Sequence, residues 1–214
     1  MAEHTAERGM AEPAQHATPV NPPLSVGSGV ADPGPLGLAG FAGTTFFLSV
    51  VNTGMLGATV TGVVLGLALF YGGIAQLLAG MWEFTKGNTF GAVAFSSYGA
   101  FWLSYWYLVN HVAGGLASDP SFGHAVATYL LVWTIFTAYM TIGASRVSGA
   151  ILGVFVFLTL TFLALTIADY ATSSGWTKLG GWLGLITAVI AWYASFAAVT
   201  NSTFKRVVLP VFPR

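Results

Sequence analysis

Gly73, Gln76, Gly80 and Glu83 recur at intervals of three, four and three residues. On a helix that spacing lines them along one face. The face offers room at its glycines, an amide in its middle and a carboxylate at its end, which suits the passage of a small polar solute. A groove filled by a neighbouring helix would carry the same glycines, and the spacing leaves both readings open. A second amide, Asn52, lies in the preceding apolar run. A buried amide has several hydrogen-bonding positions to satisfy, so Asn52 and Gln76 must each face another helix or a wet cavity. The hydroxyls Thr44, Thr45, Ser49, Ser96, Ser97, Tyr98, Thr134, Thr137, Thr159 and Thr161 also lie in apolar runs. Each Ser or Thr can bond to its own helix backbone, so singly they read as structural. Thr44, Thr45, Asn52, Gln76 and Ser97 form the candidate lining, all of it neutral.

The charges say what this chemistry is not. Only 7% of the 214 residues are charged, against 55% hydrophobic. A soluble domain carries roughly 25% charged residues. From Pro33 to Trp82 there is no Lys, Arg, Asp or Glu. A charge at the bilayer centre costs at least ~2.5–3.5 kcal/mol on insertion scales, and the charges here sit between apolar runs. No Arg ladder for sensing voltage and no carboxylate chain for pumping protons is present. Nucleotide-binding loops, nucleophile motifs and metal-ligand clusters are also missing, so neither an enzyme nor a bound cofactor or metal is expected. The formal net charge is zero and gives no reason to expect a nucleic-acid partner. With no cysteine, disulfides and thiolate chemistry are excluded.

The elements that must position these groups are long helices. A spanning helix needs about 20 mostly apolar residues. Six such runs are expected, at residues 36–55, 60–82, 91–113, 124–143, 148–168 and 180–201. They are continuously apolar rather than alternating, which excludes a β-barrel. An even number of spans puts both termini on one face, with Arg8, Lys86, Arg146, Lys205, Arg206 and Arg214; the other receives Lys178 alone. The positive-inside rule then places both termini in the cytoplasm. Trp82, Trp176 and Trp182 read as interfacial anchors. Trp102, Tyr105 and Trp106 share a face of the third span and read as packing. Gly62 and Gly66, a small-xxx-small pair, favour close helix packing within the chain or against another subunit. Residues 1–31, rich in Pro and polar groups, are expected to be a disordered tail before a six-helix membrane domain (32–204) and a short C-terminal tail (205–214).

Three motifs carry a resemblance. The first is Asp32-Pro33-Gly34-Pro35-Leu36-Gly37-Leu38. The second runs from Phe70-Tyr71-Gly72-Gly73 through Gln76 and Glu83 to Lys86-Gly87-Asn88 and Phe95-Ser96-Ser97-Tyr98-Gly99. The third lies in Phe204 through Pro210. Together they resemble the acetate uptake transporter family, which includes bacterial acetate/succinate–proton symporters and yeast acetate and ammonia-related membrane proteins. The resemblance covers about residues 32–212. It implies an all-α integral membrane protein of six transmembrane helices, assembled as a hexameric ring, with a pathway through each protomer. It also implies a hydrophobic constriction, which falls on Phe41, Tyr98 and Leu160, with Leu158 as the alternative to Leu160. The family's signature Asn is Asp32 here, and its Ala is Gly34. Asp caps a helix as well as Asn does, but it lacks the amide NH₂ and adds a charge.

The expected function is uptake of acetate and related short carboxylates, succinate among them, through the inner (plasma) membrane. Bringing one negative charge in against an interior-negative potential costs ~2.3 kcal/mol per 100 mV. A co-transported proton cancels that term, and Glu83 and His111 are the candidates to handle it. A passive channel for the same anions and a transporter of ammonia or ammonium are the rival readings. A scaffold or sensor would have only the N-terminal tail as its interaction module.

Overall fold

The computed structural model describes residues 29–213, so nearly all of the tail expected to be disordered lies outside the described residues. Among these, the elements are helical, with one isolated antiparallel bridge, Ser148 to Pro213. Six helical passes follow in order: α1 (Gly34–Asn52), α2 (Ala58–Lys86), α3 (Thr89–Tyr107), α4 (Phe122–Ala144), α5 (Gly149–Tyr170) and α6 (Ser174–Phe204). α3 is prolonged by a π-helical turn, Leu108–Val112, and a last turn, Ala113–Leu116. All but α3 are long and apolar enough to cross a membrane by length and composition. α3 holds Ser96, Ser97, Ser104 and several Tyr and Trp residues, and it is an inner helix: Tyr98, Phe101 and Trp102 are buried. The chain is a multi-pass membrane protein, and the expected spans fall on these six passes. Trp82, Trp176 and Trp182 are exposed near helix ends, as interfacial anchors should be.

Local chemistry sets the helix ends. The Asp32 carboxylate accepts from the Gly34 backbone at the start of α1 (3.1 Å), where Pro35 fits the first turn. Gly87, at φ 73°, ends α2 in the left-handed conformation that glycine adopts freely. The Asn88 side chain then caps α3 by accepting from Gly91 N (3.1 Å), and Ser148 caps α5 through Ile151 N (3.1 Å). Residues 205–213 are tied down rather than trailing. Asn201 Oδ1 accepts from Val208 N and Leu209 N, Tyr193 donates to the Pro210 carbonyl, and the Phe212 carbonyl accepts from Gly149 N at the start of α5.

The helices form a curved row: α4 on α5, α5 on α6, α6 on α1, α1 on α2 and α2 on α3. Close approaches need glycine. A Cβ on Gly80 would collide with the Ser96 backbone, one on Gly99 with Leu77, and one on Gly181 with the backbone at Thr53. Around Gly62 and Gly66 nothing among the described residues lies within 4 Å, so that pair faces outward from the bundle. The backbones of α3 and α4 stay apart, and large rings fill the gap. Tyr98 meets Phe136 edge-on at 5.4 Å, and Phe101 stacks on Tyr129 at 6.0 Å. α2 is not one regular helix: a 3-10 turn (Ala58–Val63) opens it, and a π-helical segment (Phe70–Ala75) precedes Gln76. π-segments within helices often mark functional sites, and this one lies where Gly72 touches Thr44 and Trp102.

Candidate functional site

Two cavities enter the bundle from opposite ends and share two of their lining residues, Phe41 and Leu158. The first, about 230 Å³, opens on the face that carries the starts of α1, α3 and α5. The second, about 190 Å³, opens between the ends of α1 and α5. Tyr98 lines the first and closes the ring at the junction, its ring centroid 5.7 Å from that of Phe41. All three side chains are at most 5% exposed. The Tyr98 hydroxyl lies 2.9 Å from Thr137 Oγ1, which fixes the phenol against α4. Three large side chains from α1, α3 and α5 therefore separate the two cavities.

The first cavity gathers two acids around one cation at its mouth. Lys86 Nζ lies 2.7 Å from Asp32 Oδ1 and 3.9 Å from Glu83 Oε2. Asn88 Nδ2 donates to the same Glu83 oxygen at 2.9 Å. Glu83 is 1% exposed, so these partners stand in for water. Deeper in, Gln76 is equally buried, and neither atom of its amide has a protein partner. An orphaned buried amide facing a cavity is ready to bond a solute or water.

The second cavity is built differently. Its lining includes Thr45, Asn52, Trp102, Tyr105, Tyr129 and Thr177, and among the described residues its one carboxylic acid is Asp169. Thr45 Oγ1 and Trp102 Nε1 are buried without partners. Tyr129 is engaged, its hydroxyl 2.7 Å from Ser104 Oγ. Asp169 is half-buried, and its carboxylate has no hydrogen bond or ion pair among the described residues.

The candidate residues separate accordingly. Gln76 and Glu83 line the first cavity; Thr45 and Asn52 line the second. The glycine face of α2 does both things the spacing allowed: Gly73 and Gly80 admit α3, and Gln76 and Glu83 face the cavity. Leu160 is a correction. It is 42% exposed and lines neither cavity, and Leu158 takes the place at the junction. Two residues along a helix turn a side chain by about 200°, so the two leucines face opposite ways. Thr44 is a second correction: its hydroxyl donates to the Gly40 carbonyl (2.9 Å), and the residue packs against α2 without reaching a cavity. Ser97 is partly buried and lines neither cavity. His111 is exposed, with its ring against Trp106 and Tyr107, and is also outside both. Of the motif, Asp32, Pro35 and Leu38 line the first cavity, Leu36 points outward, Gly37 packs on Phe95, and Pro33 precedes α1.

Sequence reasoning passed over Trp102, read as packing, and the Lys86–Asp32 pair, whose members are 54 residues apart. The unsatisfied indole N–H identifies the first only once burial is known. Opposite charges beside two helix ends that share a face were the available signal for the second.

The GPR1/FUN34/yaaH family matches residues 17–214. The succinate-acetate/proton symporter SatP of Escherichia coli (strain K12) is 39% identical over 182 residues, which cover 85% of this chain and 95% of that protein. A solved structure described as the bacterial acetate channel SatP matches with a TM-score of 0.79 at 39% identity, covering 85% of this chain and 99% of that one. Ammonia transport outward protein 2 of Saccharomyces cerevisiae is 42% identical over 80% of this chain and 62% of its own length. The chain spans about two thirds of the length of the yeast relatives it matches.

Proposed function

Because the chain belongs to the GPR1/FUN34/yaaH family, we propose that it carries acetate and related short carboxylates, succinate included, across the inner (plasma) membrane. The observation that carries this reading is the pair of cavities meeting at Phe41 and Leu158, each with buried, unpartnered neutral polar groups: Gln76 on one side, Thr45 and Trp102 on the other. Amide and indole N–H groups and hydroxyls replace part of a carboxylate's water without holding it as a fixed cation would. Weak binding of this kind permits release, which conduction requires. The Phe41–Tyr98–Leu158 ring is the narrow point where the solute gives up water.

Both termini belong in the cytoplasm, with Lys86, Arg146, Lys205 and Arg206 on their face and Lys178 opposite. Assembly as a hexameric ring, implied by the sequence resemblance, is part of the same proposal. Proton symport makes acetate uptake electroneutral and removes the ~2.3 kcal/mol per 100 mV that a lone anion meets. Of the two proton-handling candidates, Glu83 borders a cavity. A second reading, passage of ammonia or ammonium, draws on the name of the yeast relative and on a carboxylate and aromatic faces in the second cavity.

The test is labelled acetate uptake into reconstituted liposomes, with proton and electrical gradients imposed separately and protein-free liposomes alongside. Uptake driven by an inward proton gradient and indifferent to voltage is the expected result. Uptake that follows voltage without a proton gradient replaces symport with an anion channel.

A further inference from the structure

Asp169 stands in an unfavourable place for a carboxylate. It lies in the last turn of α5, where the helix dipole favours cations. It borders a cavity walled largely by apolar and aromatic groups, yet among the described residues no hydrogen bond or ion pair offsets its charge. The ionisable groups around it are Tyr105 of α3 and Tyr129 of α4, which line the same cavity. His124 of α4 packs instead against Tyr170, next to Asp169 in the chain, with ring centroids 5.7 Å apart. On α6, Lys178 follows the cavity residue Thr177, but its stem lies over the turn after α1: its Cε is 3.4 Å from where a Cβ on Gly54 would stand. Stability gives no reason for a carboxylate at this position.

The opposite cavity sharpens the point. There the two carboxylates share Lys86, Asp32 accepts from Gly34 N, and Glu83 accepts from the Asn88 amide. In the Asp169 cavity the acid is uncompensated, on a route proposed for anions. An ionised carboxylate in such a vestibule repels an approaching anion in proportion to that anion's charge. Low-dielectric walls concentrate the field rather than dissipating it.

We infer that Asp169 is a valence filter in the second cavity, a specificity-determining residue that admits monocarboxylates and disfavours dicarboxylate dianions. The inference rests on the carboxylate-transport reading. Asp169 acts on the solute through space and need not touch it. Because the repulsion doubles with a second charge, the discrimination against a dianion is the square of that against a monoanion.

The experiment compares uptake of labelled acetate and labelled succinate by full-length wild type, Asp169→Asn and Asp169→Glu in liposomes, at pH 7.5 and at low and high salt. Asp169→Asn is expected to raise acetate uptake about threefold and succinate uptake ~tenfold at low salt. Added salt should shrink both gains, and Asp169→Glu should keep the wild-type ratio. A merely structural role would move both substrates together and would not respond to salt. An unchanged succinate-to-acetate ratio in Asp169→Asn overturns the filter. Should that variant fail to incorporate, Thr177→Asp, which adds a second carboxylate to the same cavity, is expected to lower the ratio, and an unaltered ratio there overturns the inference equally. Wild type with no protein-dependent uptake of either acid overturns the carboxylate reading itself. Loss of labelled methylammonium uptake in Asp169→Asn, with carboxylate uptake unaltered, overturns the filter in favour of a cation route.

Discussion

The two cavities differ in how each handles charge. At the termini face, Asp32 and Glu83 share one cation, Lys86, and Asn88 donates to the buried Glu83. In the second cavity, Asp169 has no hydrogen-bond or ion-pair partner among the described residues. The first arrangement links α1, α2 and the start of α3, so its charges are engaged within the protein. The second holds nothing in place, so its charge is free to act on whatever enters. A polar residue that is fully paired and one that is unpaired have different jobs even when both line a cavity.

Substitutions can break this contrast, and the largest effect should come from the wall rather than the charges. Gly80→Leu forces a side chain into the Ser96 backbone and separates α2 from α3. A loss of about 3 kcal/mol or more is expected, seen as aggregation or a collapsed melting transition in detergent. Gly62→Leu meets open space and should stay within ~0.5 kcal/mol of wild type.

Removing one carboxylate from each cavity tests the comparison directly. Glu83→Ala removes a buried carboxylate and its hydrogen bond from Asn88, and should destabilise by about 1 kcal/mol. Asp169→Asn removes an unpartnered charge from a helix C-terminus and should change stability by less than ~0.5 kcal/mol. Equal effects on thermal unfolding would dissolve the distinction.

Tyr98→Phe keeps the ring at the junction but deletes the bond to Thr137. About 1 kcal/mol of destabilisation is expected, with acetate flux retained, because the aromatic face and not the hydroxyl borders Phe41. Among the paired groups, the smallest effect belongs to Asp32→Asn. Its side chain is 52% exposed, and the Lys86 pair is a surface contact, worth about 0.5 kcal/mol and less in high salt. A melting temperature that falls sharply and does not respond to salt would mean that the pair is structural in a way its exposure does not suggest.

Six passes were legible because charge is excluded from the bilayer core, which leaves helix ends marked by Glu83, Lys86, Arg146 and Lys178. Gln76 and Asn52 stood out as groups that must face another helix or a cavity, because an amide has few places to hide. Leu158 was not separable from Leu160. The fifth pass is apolar on every side, and no polar stripe fixes which face turns inward. The π-helical segment before Gln76 left no local mark either, since it answers to Thr44 and Trp102 on other helices. Trp102 has the same limitation: its indole matters because it is unsatisfied, a property of packing rather than of residue type.

That carboxylates pass through the ring joining the two cavities is tested most directly by labelled acetate uptake in liposomes bearing Leu158→Ala or Leu160→Ala. Trimming Leu158 opens the junction, and uptake should rise several-fold with weakened discrimination between acetate and larger acids. Trimming Leu160, on the outward face of α5, should leave uptake at the wild-type level. Unchanged uptake in Leu158→Ala, or an effect confined to Leu160→Ala, would contradict a pathway through Phe41, Tyr98 and Leu158.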